Sequence, residues 1–174
     1  MKLTLALLVL AICSATNVFA NNSKISDSIA PLHRDIIGVY EVEKDDALEI
    51  VILKNRILSA GSVVFSLAEN GLSIMREVKK IRIEIPRKRI RFTIAAPVID
   101  EYGNKKSRRI LAVTFMTSDL MKVNYSTNGI LPGQLLNIYE KAWRLNSLAD
   151  TSIIDYCREE VGKISRDFCL AEKF

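Results

Sequence analysis

Five carboxylates fall between residues 41 and 49, at Glu41, Glu43, Asp45, Asp46 and Glu49, and this is where the chain groups side chains able to do acid–base work. Cleavage of a glycosidic bond asks only for two such groups, one to deliver a proton and one to attack or to activate water. Alternation along a strand puts Glu41 and Glu43 on the same face as Ile37 and Val39, opposite Tyr40, and that face reads as solvent. A solvated turn with acids at its ends explains Asp45 and Asp46 equally well, and the spacing lacks the regular oxygen-ligand pattern of a calcium loop. The single histidine, His33, precedes the first strand with nothing nearby in sequence to orient it, so neither a triad nor a metal centre is expected. Gly-x-Ser-x-Gly, His-Glu-x-x-His, phosphate-cradling glycine loops and dinucleotide fingerprints are absent. The chain reads as a non-enzyme without cofactor or metal.

The stronger chemical signal is basic. Residues 76–109 hold twelve basic residues against four acids, while the rest of the chain after residue 20 has a net charge of −4. Ile81, Ile83 and Ile85 alternate with Arg82 and Glu84, and Ile90, Phe92 and Ile94 alternate with Arg89, Arg91 and Thr93. Strand spacing would turn the apolar set inward and the arginines outward. Paired through a Pro86-Arg87-Lys88 turn, such strands bring Arg82, Arg89 and Arg91 to one outer surface, with Arg87 and Lys88 at its tip and Arg108 on the next strand. That stripe has the sign to attract an anionic envelope component: a lipid headgroup, an acidic polysaccharide or an acidic protein. Solvent-facing lysines and arginines that protect sheet edges are the plainer explanation of the same residues. Nucleic acid is not expected as a partner, because aromatics do not interleave with the basic residues as a stacking platform requires.

The elements that would position these residues follow from periodicity. Lys2, the apolar run Leu3–Cys13 and the small-residue exit Val18-Phe19-Ala20 have the layout of a secretory signal peptide over 1–20. The run is about half of what a bilayer crossing needs, so no transmembrane segment is expected and the destination is periplasmic or extracellular. Residues 21–35 read as a flexible lead-in. From 36 to 145 the apolar residues alternate, and turn signals at Lys54-Asn55, Asn70-Gly71, Pro86-Arg87-Lys88 and Gly103-Asn104 divide the segment into short strands. A mainly β fold is predicted, an antiparallel meander closing into a barrel or strongly curved sheet, with no room for crossover helices.

Over 146–174 the period changes. Ile154, Cys157, Val161, Ile164 and Phe168 form one helical stripe, capped near Asp150-Thr151-Ser152, that should pack on the outside of the sheet. Cys157 and Cys169 are an even pair once Cys13 leaves with the signal. On an unbroken helix they stand about 18 Å apart, so either the helix breaks near Gly162 and folds back to let them bridge, or the thiols stay separate.

In outline, Gly38-Val39-Tyr40 on a first strand, an antiparallel meander and a late helix resemble the lipocalin and wider calycin barrels. Tyr40 stands where those families carry Trp on that strand, and Arg144 beside Trp143 is the matching basic residue. The resemblance implies an interior cavity for a small apolar ligand and carries over no binding residue. The function expected is binding of an anionic partner through the basic sheet face. The alternatives are an apolar-ligand carrier, or an envelope assembly or inhibitor protein that grips another protein by a sheet edge or the terminal helix.

Overall fold

The computed structural model describes residues 24–99, 103–126 and 129–172. The signal segment 1–20 and the positions Asp100, Glu101, Tyr102, Thr127 and Asn128 lie outside them. Five strands form one open sheet in chain order: β1 (Ile36–Val42), β2 (Ala47–Leu53), β3 (Arg89–Ile99), β4 (Lys105–Met116) and β5 (Tyr139–Arg144). Every neighbouring pair is antiparallel except β2–β3, which is parallel. The sheet is not closed, so the barrel, the closed meander and the lipocalin likeness are all corrected. β1 and β5 are the edge strands.

The parallel pair exists because the expected strands of residues 61–81 are instead a long helix, α1 (Gly61–Ile81), which crosses over between β2 and β3. Val63, Phe65 and Leu67 alternate, but Val63, Val64, Leu67, Ala68, Ile74, Met75 and Val78 recur at helical spacing, and these are the residues the core buries. Asn70-Gly71 is no hairpin turn. Asn70 Nδ2 donates back to the Ser66 carbonyl at 2.8 Å, and a Cβ on Gly71 would stand 3.2 Å from the Phe92 ring, so this glycine lets the helix lie close on β3. Arg82 ends α1 in the left-handed conformation (φ 58°), while the Ile83 N–H returns to the Val78 carbonyl at 3.0 Å. The strand predicted over Ile81–Ile85 is therefore a helix end followed by irregular chain.

Two hairpins form. β1 turns into β2 through Glu43–Asp45, with Asp46 at φ 47°, and β3 turns into β4 at the predicted Gly103 position, with Gly103 at φ 80°. One sheet face, bearing Leu48, Ile50, Ile52, Ile90, Phe92, Ile94, Leu111, Val113 and Phe115, packs under α1 in a single apolar cluster. In the lead-in, 24–29 is helical and Ile25 and Ile29 join that cluster.

The C-terminal stripe is two helices rather than one. After α2 (Thr117–Lys122) and the single turn α3 (Pro132–Leu135), α4 (Ser147–Arg158) starts at Asn146, whose Oδ1 accepts from the Leu148 N–H at 3.0 Å. It packs chiefly on α1 instead of the outside of the sheet, with Tyr156 against Gly61. The chain then breaks through a tight turn at Glu160–Lys163 and reverses into α5 (Arg166–Ala171). The fold-back near Gly162 brings Cys157 and Cys169 to a Cα separation of 5.5 Å, and they form a disulfide. Among the described residues no helix is long and apolar enough to cross a membrane.

Candidate functional site

The buried apolar side chains of the helices join the cluster on one face of the sheet, and the opposite face carries long polar and aromatic side chains of its own strands. By register, Tyr40, Glu49, Arg91, Thr114 and Lys141 stand in one row across all five strands, and Gly38, Val51, Thr93, Ala112 and Trp143 form the next. Residues in a row share a face. Val51, Thr93 and Ala112 are nevertheless buried, as is Glu49. Long neighbours in these and adjoining rows bend over them: the Arg91 guanidinium lies 5.2 Å from the Trp143 ring, and that of Arg109 lies 5.5 Å from the Tyr40 ring.

Two polar assemblies result. Under the β1 side, the Glu49 carboxylate accepts from the Thr93 hydroxyl at 2.7 Å and pairs with Arg109 at 3.1 Å. Tyr40 folds back along its own strand over Gly38, where a Cβ would run into the ring. Towards β5 a shallow groove of about 370 Å³ opens, lined by Lys44, Asp45, Arg89, Arg91, Thr114, Glu140, Lys141 and Trp143. Arg89 donates from Nε and Nη2 to the two oxygens of Glu140 at 2.6 and 2.8 Å, and from Nη1 to the Asp45 carbonyl at 3.1 Å. Arg91 pairs with the Asp45 carboxylate and donates from Nε to the Thr114 hydroxyl at 3.2 Å. Both guanidinium groups are thus held planar against fixed acceptors. Lys141, exposed, sits 3.8 Å from the centre of the Trp143 ring.

This arrangement overturns the basic stripe. Arg82 lies at the end of α1, beside a depression of about 550 Å³ formed with Ile83, Ile85, Pro86 and Met121, and not with Arg91. Arg87 is paired with Glu41, whose side chain is only 9% exposed and so does not face solvent as expected. Lys88 stands exposed, 4.0 Å from Asp46. Arg108 is opposite Ala96, which belongs to the apolar cluster, so by register it points to the helix-bearing side. Only Arg89 and Arg91 share the predicted surface, and each is compensated by an acid. The expected stripe of unpaired arginines is therefore not there. The carrier alternative fails with the barrel, and the terminal helix expected to grip another protein has its end engaged on β5. Of the acidic cluster, Asp45 pairs with Arg91 and Glu49 with Arg109, and among the described residues no three His, Cys, Asp or Glu side chains are placed to hold a metal.

Trp143, Glu140, Lys141 and Thr114 complete the groove without a local sequence pattern that marks them as site residues. The available signal was the alternation of Lys141 and Trp143 with Ala142 and Arg144 on one short strand.

Both groove carboxylates are stabilised as anions. The hydrogen bond from Arg91 holds Asp45 below its ordinary value against the opposing effect of burial, and the hydrogen bond from Arg89 does the same for Glu140. A depressed carboxyl contributes stability that is complete above its unfolded pKa and is lost as the pH falls through its folded one. The groove should therefore keep its ion pairs as the pH falls from neutral to the ordinary carboxylate range and lose them only below the ordinary values of the two groups. Trp143 emission should be flat over the first range and change in the second. A transition centred above about 5 would contradict this assignment.

No protein-family model, curated protein or solved structure matches this chain.

Proposed function

We propose that the groove on the open sheet face binds a neutral, polyhydroxylated ligand, a segment of saccharide, and that the chain does so as a non-catalytic module outside the cytoplasm. The observation that carries this reading is an exposed indole framed by two guanidinium–carboxylate pairs, Arg89–Glu140 and Arg91–Asp45, with the Lys44 and Lys141 side chains also lining the groove. A sugar ring offers an apolar C–H face that packs on an aromatic surface, and hydroxyls that are donors and acceptors at once. Guanidinium groups locked against carboxylates, with free lone pairs remaining on the acids, answer both needs without asking the ligand for a charge. Because the side chains are already fixed, little ordering is left to oppose binding. The volume is at the small end of the range for ligand sites, about 300–1,000 Å³, which suits a short segment. Lys141 is a flexible exposed side chain that can swing off the indole as a ring arrives.

The test is a calorimetric screen of neutral hexasaccharides (maltohexaose, cellohexaose and N-acetylchitohexaose) with the oxidised protein. At least one should bind, its affinity should change little up to about 0.5 M sodium chloride, and Trp143→Ala should weaken it by about tenfold or more, roughly 1.4 kcal/mol. Absence of binding to all three, or binding that ignores Trp143→Ala, refutes the reading. So does binding that collapses with salt.

A further inference from the structure

The strand that carries Trp143 is poorly secured by the sheet alone. β5 is a six-residue edge strand, paired on one side only and broken by a register shift opposite Thr114 and Phe115. What closes on its other side is the C-terminal coda. Glu172, just past α5, accepts from the Tyr139 hydroxyl at 2.8 Å with one carboxylate oxygen and pairs with Arg144 at 2.9 Å through the other. These are the first and last residues of β5, so one carboxylate spans the strand, while Arg144 also pairs with Asp150 of α4 at 3.3 Å. Burial, and then Glu172 itself, push the Tyr139 phenol above its ordinary pKa, which keeps it the donor. By register Tyr139 and Arg144 point to the helix-bearing side while Lys141 and Trp143 point into the groove, so the clamp grips the back of the wall that the groove presents.

Glu172 cannot hold this position by itself. α5 has six residues, too short to persist as an isolated helix. Two things seat it: Phe168, fully buried with its ring 5.0 Å from that of Tyr139, and the bond from Cys169 to Cys157 on α4. Asn137 adds two hydrogen bonds, donating to the Ile164 carbonyl at 2.9 Å and accepting from the Asp167 N–H at 3.2 Å.

We propose that the Cys157–Cys169 disulfide is a redox latch on the groove: oxidised, it keeps Glu172 on both ends of β5 and Trp143 in the groove wall; reduced, it frees α5 and lets the wall open. The inference rests on the saccharide reading for its consequence, but not for its mechanics. The reductant class is a dithiol. Its thiolate attacks a sulfur of the bond, and Cys157 is the more accessible residue because Cys169 is buried. Cys169 leaves as a thiolate that takes up a proton, and the reductant's second thiolate then displaces Cys157. Two electrons and two protons end on the protein, and the reductant closes to its own disulfide.

The chain contains one tryptophan, so its emission reports on β5 alone. The experiment titrates the full chain with dithiothreitol, reading Trp143 emission and acrylamide quenching, far-UV circular dichroism and free thiols in parallel. Expected on full reduction are a red shift and a quenching constant raised at least about twofold, with the dichroism of sheet and α1 largely retained. Glu172→Ala, kept oxidised, should reproduce the tryptophan change with the disulfide intact, and the saccharide found to bind should lose affinity in both cases.

If both thiols are free and Trp143 is unmoved, the latch does not exist. If reduction instead abolishes the dichroism, the bond holds the whole fold and is no latch, and an unmoved Trp143 in oxidised Glu172→Ala overturns the clamp. Failure of every saccharide to bind the oxidised protein refutes the function while leaving the tryptophan readout to decide the latch.

Discussion

Phe92→Ala should lower the free energy of unfolding by about 3–5 kcal/mol, the range for truncating a fully buried aromatic side chain. Phe92 lies on β3 with no exposed surface, and its ring meets that of Phe115 edge to face at 6.0 Å. Above it is α1, where Gly71 already lets the helix backbone approach to the limit. The space left by the ring would be bounded below by a central strand and above by a helix pinned at both ends, so little of it can collapse. That places the cost towards the upper part of the range. Urea unfolding followed by circular dichroism measures it as a shift in midpoint at constant slope. A loss below about 1 kcal/mol would mean that this ring is not where sheet and helix meet. Phe92→Leu keeps most of the volume and should cost less than about 1.5 kcal/mol.

Gly162→Ala should prevent the Cys157–Cys169 bond from forming in most molecules. A Cβ at this position would stand 2.5 Å from the Tyr156 carbonyl oxygen and 2.8 Å from the Cys157 Cα. Both obstacles are main chain at the end of α4, so the turn must open to admit it. An open turn carries Cys169 away from its partner, and the constraint on the unfolded chain, about 3 kcal/mol for a loop of this length, is lost. A thiol count should find free cysteines in the variant and none in the parent. Reduction should destabilise the parent by about that amount and the variant hardly at all, because the two changes remove the same constraint. Quantitative disulfide in the variant, with parental stability, would show that the turn has another conformation available.

The parts of the fold legible in the sequence are those whose signals are local and unambiguous. Leu48, Ile50 and Ile52 alternate beside a turn rich in acids, and Gly103 supplies the positive φ that a hairpin between β3 and β4 uses, so both hairpins could be read. Residues 61–81 satisfied two periods at once. Val63, Phe65 and Leu67 with Asn70-Gly71 imitate a strand and its turn, and only the continuation through Ile74, Met75 and Val78 favours a helix. That one substitution of helix for strands turns a meander into a crossover and a closed sheet into an open one. The site was half legible for a similar reason. The strand period puts Arg89 and Arg91 on one outer face, as found, but their acids lie 51 and 46 residues away in sequence, at Glu140 and Asp45. Compensation between segments so distant is a property of the tertiary fold, and no local pattern announces it.

The parallel pairing of β2 with β3 fixes an order of events in time. An antiparallel neighbour can zip from its turn, but β3 can join β2 only after the whole of 54–88 has been brought round. Closing a span of that length costs about 3 kcal/mol of chain entropy before any ladder hydrogen bond repays it. α1, built from contacts three and four residues apart, shortens the span by forming early. The slow event in folding should therefore be the docking of this helix across the β1–β2 hairpin that brings β3 alongside β2.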